Sequence, residues 1–169
     1  LGFSQDSQAV DALIEALKSE DAAVRKTAVE SLGKIAHPKA VGELAKLVKD
    51  KDLGVRLALV KTLGNIHNES TIDPLIQMLD DQSAEIKLLA LQALGKYQNE
   101  QLINAVGNLL KDKNIEIRLA VVQVLDTIGK KEALRFLLTA INDEDWRVRK
   151  AGVEAVKNIA EKEKIEDSG

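Results

Sequence analysis

The two histidines are the first candidates for catalysis in this sequence, because the chain has no cysteine that could act as a nucleophile. Hydrolytic catalysis would need a base beside a serine, and imidazole is the usual base. His37 and His67 follow predicted helices, and neither has a glutamate beside it at metal-ligand spacing. A partly protonated imidazole at a helix C-terminus interacts favourably with the helix dipole, so we expect both to be structural. The sequence therefore predicts no catalytic residue, no metal site, no cofactor and no enzyme.

A basic residue that recurs along the whole chain is the other candidate, since a row of cations could bind anions. Each member follows a valine or isoleucine and stands four residues after a side chain suited to capping a helix. Where that side chain is aspartate, an ion pair along the helix is within reach. We expect caps and structural ion pairs rather than an anion site. The basic positions are Arg25, Arg56, Lys87, Arg118 and Arg149, and the capping positions are Asp21, Asp52, Ser83, Asn114 and Asp145.

Composition indicates a helical protein without a membrane segment. Of the 169 residues, 45% are hydrophobic but only 2% are aromatic, and alanine and leucine favour helices. No apolar run approaches the roughly 20 residues needed to cross a bilayer, and no charged-then-apolar leader opens the chain, so we expect a cytoplasmic location. The net charge of −3 disfavours nucleic acid as a partner, because phosphate binding needs an excess of Lys and Arg on one face.

The sequence repeats itself every 31 residues without a gap. The same offset aligns apolar columns, one of which is Leu32, Leu63, Leu94, Leu125 and Val156. We expect a single domain over residues 1–169 with five repeats, at 7–37, 38–68, 69–99, 100–130 and 131–161. Leu1, Gly2 and Ile165 also fall at repeat-like positions. These matches are either coincidental or the remains of partial repeats at both ends.

Each repeat is predicted to form two helices, because its apolar residues fall at helical spacing first in a short segment and then in a longer one. One such pair cannot bury both of its apolar faces, so neighbouring pairs must stack and share a core. The predicted fold class is therefore all-α. Its architecture is a right-handed α-α superhelix, an α-solenoid of five helix-turn-helix repeats.

The residues around the basic column resemble a known repeat family. The motif Asp-x-x-Val-Arg begins at Asp21 and at Asp52, and Ala-Leu-Gly occurs in the third repeat. These features resemble HEAT-like repeats, most of all the short type named after phycobilin lyases. The resemblance implies an α-solenoid of HEAT-like repeats with an Asp/Arg ladder linking neighbouring turns. Three repeats carry the glycine of the family pattern and two depart from it, at Gly33, Gly64, Gly95, Asp126 and Lys157.

The surface expected to bind a partner is formed by the second helices, which line the concave side of such solenoids. The residue two positions after the core Val or Ile points away from the core. Three central repeats place leucine there, so we expect a partner-binding ridge unless curvature crowds the helices and covers these leucines. The ridge comprises Leu53, Leu57, Lys61, Leu88, Gln92, Ile115, Leu119, Gln123, Trp146 and Lys150.

Two neighbouring features carry further expectations. Val60, Leu91 and Val122 lie nearer the core, and we expect them to be packed between repeats. Trp146 is either an anchor for a partner or a cover over the end of the stack.

The sequence supports three functions, and the first is a protein interaction scaffold or adaptor that binds a segment of another protein on its concave face. The second, implied by the resemblance alone, is a phycobilin-lyase-like chromophore-binding protein or subunit. The third is a structural spacer from a longer repeat protein, whose further repeats or domains would then cover the ridge. HEAT-like hydroxylases carry paired His-Glu motifs, which are absent from this sequence.

Overall fold

The computed structural model describes the backbone of residues 2–66 and 68–166 and the side chains of residues 7–37, 39–66 and 68–164. Within these ranges the chain is almost entirely helical and contains no β-strand. It divides into two compact units, Leu1–Asp80 and Asp81–Gly169, called unit 1 and unit 2 below. The expectations for Leu1, His67 and the Ile165 side chain lie outside the described residues. None of the described helices is both long and apolar enough to span a membrane.

Unit 1 contains five α-helices in the part of the chain that the structure describes. Helices α1 and α2 pack together, α2 packs on α4, and α4 packs on α5. The short helix α3 continues into a 3₁₀ turn, and another 3₁₀ turn precedes α5. The bounds are α1 Gly2–Ala16, α2 Ala22–Ile35, α3 Pro38–Leu44, α4 Leu53–Asn65 and α5 Ile72–Met78.

Unit 2 contains another five α-helices among its described residues. Helix α8 packs on α6, α7 and α10, and α10 also packs on α9. The second helices α6, α8 and α10 therefore form one layer, in which α8 is central. The bounds are α6 Ala84–Leu94, α7 Leu102–Gly107, α8 Ile115–Ile128, α9 Leu134–Ile141 and α10 Trp146–Glu166.

The predicted capping residues are confirmed at the start of every second helix. Their side-chain oxygens accept a hydrogen bond from a free backbone N–H of the first turn, which is the usual N-cap interaction. Asp52 accepts one from the amide of Val55 at 3.0 Å, and Asp145 accepts one from the amide of Arg147 at 2.9 Å. The other three caps are Asp21, Ser83 and Asn114.

The predicted apolar column of the second helices forms the core. Leu32, Leu63, Leu94 and Leu125 are all completely buried, as the 31-residue offset predicts. Val60, Leu91 and Val122 are also buried, so the expectation that they are packed inside is confirmed.

A ladder of ion pairs joins successive turns within each unit. In unit 1, Nε and Nη2 of Arg25 each donate to a carboxylate oxygen of Asp50 at 2.8 Å. In unit 2, Arg118 donates in the same way to Asp143 at 2.8 and 2.9 Å, and Nζ of Lys87 donates to Asp112 at 2.8 Å. The structural role expected for this basic column is confirmed at these three positions, since each cation is occupied by a carboxylate.

For Arg25 and Arg149, the expected ion pair with the capping aspartate of the same helix is wrong. Arg25 pairs with Asp50, 25 residues later, rather than with Asp21. At the last cap, Asp145 is paired with Arg147 at 3.0 Å rather than with Arg149. The reason is that the guanidinium leaves its helix toward the preceding loop, where Nη1 of Arg25 donates to backbone carbonyls, and its other nitrogens then face the next turn.

The expected C-terminal role of His37 is also wrong. His37 is the N-cap of α3, and its Nδ1 accepts a hydrogen bond from the backbone N–H of Lys39 at 3.2 Å. The ring therefore caps the helix that follows it, which the position of His37 after the preceding helix did not indicate.

Candidate partner-binding groove

Unit 2 contains a groove of about 580 Å³, called the unit 2 groove below, that is lined only by residues of the second helices α6, α8 and α10. Its central wall is α8, whose residues Leu119, Gln123 and Asp126 recur at spacings of three and four and therefore lie on one face of the helix. Because all three helices begin at capped turns, the groove is built on regular, well-packed elements.

The floor of the groove is apolar and has small residues at its centre. Leu88 of α6 and Leu119 of α8 are half-buried, so part of each side chain is available for contact. Ala120 of α8 and Ala151 of α10 occupy the same repeat column and also line the groove. Their short side chains leave the space between α8 and α10 open.

The rim of the groove is polar and contains amides and carboxylates. Gln92 and Gln123 are exposed, and each amide can both donate and accept hydrogen bonds. A carboxylate oxygen of Glu116 lies 3.6 Å from Nη1 of Arg147. Asp145 is closer to Arg147, at 3.0 Å, and the hydrogen bond that Arg147 donates to it raises the pKa of Arg147.

Two further carboxylates of the rim differ in their partners. Glu154 lies 3.8 Å from the ammonium of Lys150, one helical turn earlier, and both side chains are more than half exposed. Asp126 is half-buried and receives hydrogen bonds at 3.1 Å from the Asn158 amide, which reaches both carboxylate oxygens. Among the described residues, no basic side chain forms an ion pair with Asp126. The groove thus has an apolar floor, an amide rim and one carboxylate without a cation.

Four of the ten residues predicted for the ridge line the unit 2 groove, namely Leu88, Gln92, Leu119 and Gln123. Leu88 and Leu119 are each partly accessible and partly covered, and a partner-binding role of the ridge stays a prediction. Three predicted residues of unit 2 do not line the groove. Ile115 is half-buried, Lys150 is exposed beside Glu154, and Trp146 is 62% exposed at the first residue of α10.

The three predicted residues of unit 1 lie on α4. Leu53 is 47% exposed, and Leu57 is half-buried. Lys61 is exposed and lines a separate hollow of about 370 Å³ between α2 and α4, together with Glu30 and Asn65. Leu57 does not line that hollow, so it does not provide an apolar floor there as Leu119 does in unit 2.

The sequence model of the HEAT repeats family matches residues 10–95 of this chain and, in a second match, residues 72–157. The chain belongs to the HEAT repeat family. The predicted fold class, an all-α solenoid of HEAT-like repeats, is thereby confirmed. No curated protein sequence matches this HEAT repeat protein significantly.

Solved structures share this fold at low sequence identity. The complex of CpcE and CpcF of phycocyanin lyase from Nostoc is 21% identical with a TM-score of 0.69, over 90% of this chain and 65% of that one. A designed armadillo repeat protein in complex with peptide (KR)4 is 24% identical with a TM-score of 0.65, over 88% and 81%. Human deoxyhypusine hydroxylase is 18% identical with a TM-score of 0.55, over 93% and 75%. Identities this low show the fold alone.

Several groove residues of this HEAT repeat protein were missed by sequence reasoning. They are Glu116, Asp126, Glu154 and Asn158. Asp126 had a usable signal, since it replaces the glycine that Gly33, Gly64 and Gly95 provide in the same column. Its proximity to Asn158 had none, because the contact depends on how α8 and α10 pack. Among the described residues, no three His, Cys, Asp or Glu side chains are grouped so as to hold a metal ion.

Proposed function

We propose that this HEAT repeat protein is an interaction scaffold that binds a segment of another protein in the unit 2 groove. The observation that carries the proposal is the combination of a partly accessible leucine floor, Leu88 and Leu119, with an amide rim, Gln92 and Gln123. An interaction site typically has an apolar centre surrounded by polar residues that satisfy hydrogen bonds at its edge.

The size and chemistry of the groove suit a few side chains of a peptide. About 580 Å³ lies within the range of small binding sites and holds two or three large side chains. Burying one leucine-sized side chain against the floor contributes about 1.5–3 kcal/mol. The exposed amides of Gln92 and Gln123 can pair with the backbone of an extended segment, which limits the cost of removing its peptide groups from water.

The test is capture of partners by the intact chain and by the double variant Leu88→Asp/Leu119→Asp, with mass spectrometry of the captured proteins. We expect at least about a tenfold loss of capture, since buried carboxylates oppose apolar contact. Leu138→Asp is the matched control, because Leu138 is 57% exposed on α9, away from the groove. Equal capture by the double variant would exclude the groove and favour a spacer role.

Leu88 and Leu119 are half-buried, and charges there could lower the stability of the fold, so a second variant keeps the test independent of stability. Gln92→Lys/Gln123→Lys changes only exposed side chains of the rim and should leave the circular dichroism spectrum and melting temperature unaltered. We expect it to change which proteins are captured. Identical capture would count against the groove.

A chromophore-binding role is the second candidate, supported by the shared fold of the phycocyanin lyase structure. A linear tetrapyrrole carries propionate groups, and the rim carboxylates Glu116, Asp126 and Glu154 would repel them. The measurement is the visible absorbance of a linear tetrapyrrole as the protein is added. A red-shifted, saturable change that Leu88→Asp/Leu119→Asp abolishes would support this role in place of peptide binding.

A further inference from the structure

We infer that the segment bound in the unit 2 groove is basic and presents one apolar and one Lys or Arg side chain about 10 Å apart. This inference rests on the proposed function and specifies its partner. It starts from the charges that line the groove. Three carboxylates line it, those of Glu116, Asp126 and Glu154, and no Lys or Arg does.

The three carboxylates are not equally available to a partner. Glu116 and Glu154 already have Arg147 and Lys150 within 4 Å. Among the side chains that the structure describes, the partner of the Asp126 carboxylate is the uncharged amide of Asn158, at 3.1 Å from each oxygen. A charge-assisted hydrogen bond is roughly twice as strong as a neutral one, so an incoming cation would improve on the present partner of Asp126.

The spacing of the groove residues sets the spacing in the partner. Asp126 follows Leu119 by seven residues on α8, which is two turns and about 10.5 Å along the helix axis. A peptide in the polyproline II conformation has three residues per turn and rises about 3.1 Å per residue, so side chains three positions apart lie on the same face, about 9 Å from each other. A segment with a leucine and an arginine three positions apart can therefore place the apolar side chain on the floor and the guanidinium at Asp126.

Asp126 is half-buried, so water should screen its attraction to a guanidinium of the partner less than it screens an exposed ion pair. The floor beside it is formed by Leu119, Ala120 and Ala151, which exclude water once the groove is filled. The attraction between two charges is less screened where water is excluded, and removing one partner of such a pair leaves the other charge uncompensated. Replacing the carboxylate with its amide should therefore affect a charged peptide and leave an uncharged one unaffected.

The experiment uses three fluorescein-labelled octapeptides of serine and glycine with one leucine. Three residues after the leucine, the first has arginine, the second has citrulline, which keeps the shape without the charge, and the third has glutamate. Fluorescence anisotropy gives the dissociation constant for the intact chain, Asp126→Asn and Glu161→Gln. The last is a matched control, since Glu161 is an exposed carboxylate of α10 outside the groove.

We expect the arginine peptide to bind about tenfold more tightly than the citrulline peptide, and the glutamate peptide to bind more weakly than either. Asp126→Asn should remove most of that tenfold difference, whereas Glu161→Gln should preserve it. Raising the salt concentration to about 1 M should weaken the arginine peptide selectively, because it shortens the range of electrostatic attraction to about 3 Å.

Other outcomes separate this inference from the proposed function. Equal binding of the arginine and citrulline peptides, or an arginine preference that survives in Asp126→Asn, would overturn the basic partner while leaving the groove in place. If none of the peptides binds but Leu88→Asp/Leu119→Asp loses capture, the basic partner is overturned and the groove remains the binding site. Absence of peptide binding together with unchanged capture by that variant would overturn both.

Discussion

Arg118 and Arg149 occupy the same column in successive repeats of unit 2, yet their surroundings differ. Nη1 of Arg118 donates to the carbonyl of Asp112 at 2.9 Å, and Nη1 of Arg149 donates to the carbonyl of Asp143 at the same distance. Arg118 also binds the carboxylate of Asp143 through Nε and Nη2 and is only 3% exposed. Arg149 is exposed, and no side-chain carboxylate binds it among the described residues.

Arginine at this position of the repeat can make two kinds of interaction, one with the preceding loop and one with the next turn. The bond to the preceding loop is present in both residues and depends only on the local chain. Burial and the ion pair occur where the next turn supplies an aspartate. The hydrogen bonds that Arg118 donates to the carboxylate of Asp143 raise the pKa of Arg118, although burial opposes this rise. The ladder is therefore a property of stacked repeats and not of one repeat.

The largest expected effect is that of Arg118→Ala. Of the donors to Asp143 in the described residues, it leaves the backbone amide of Asp145, and breaking a buried pair in this way costs about 3 kcal/mol. Urea unfolding followed by circular dichroism measures the loss in the free energy of unfolding. A loss below about 1 kcal/mol would show that the pair contributes no more than an exposed one.

The pH dependence of stability should follow the aspartates of the ladder. Burial raises the pKa of Asp143 and of Asp112, but hydrogen bonds from Arg118 and Lys87 and from backbone amides outweigh it, so each pKa lies below its usual value. A carboxylate with a lowered folded-state pKa stabilises the fold above its unfolded pKa of about 3.9, and this stability is lost as pH falls through the folded-state pKa.

The melting temperature should therefore be constant from neutral pH to about pH 5 and fall steeply below about pH 4. Arg118→Ala should show a shallower fall, because the pKa of Asp143 is then no longer held down by the guanidinium. Melting curves at a series of pH values test this, and an equally steep fall in both proteins would assign the acid sensitivity to other groups.

A smaller gain is expected from Lys87→Arg. Lys87 reaches Asp112 with one ammonium hydrogen bond at 2.8 Å, whereas a guanidinium can form the two parallel bonds seen at Arg118. We expect the free energy of unfolding to rise by about 0.5 kcal/mol. Chemical denaturation measures this change, and a decrease would mean that the turn at Asp112 cannot accept the planar group.

The smallest effect is expected from Arg149→Ala. Within the described part of the chain, its guanidinium bonds to the carbonyls of Asp143 and Glu144, and it is exposed to water, which can replace those bonds. The free energy of unfolding should change by no more than about 0.5 kcal/mol. A loss as large as that of Arg118→Ala, measured in the same urea titration, would show that the carbonyl bonds carry the stability and that the carboxylate adds little.

Much of the fold was predictable because its signals are local. The caps at Asp52 and Asn114 follow from side chains that can reach a backbone N–H two or three residues away. The buried column that contains Leu63 and Leu94 follows from helical spacing repeated at one offset. The groove was predictable only in part. Leu88 and Leu119 stood out as leucines on a polar face, but Asn158 gave no sign that it would meet Asp126, 32 residues away.

The sequence by itself determined the helix pairs, their starting points, the core column and the family, since each depends on spacings within one repeat or on the repeat itself. Tertiary structure alone decided that Arg25 and Arg118 bind aspartates 25 residues later, and how far the groove leucines are covered. The physical reason is that these contacts depend on the distance and crossing of helices that are adjacent in space, which no spacing along a single chain segment specifies.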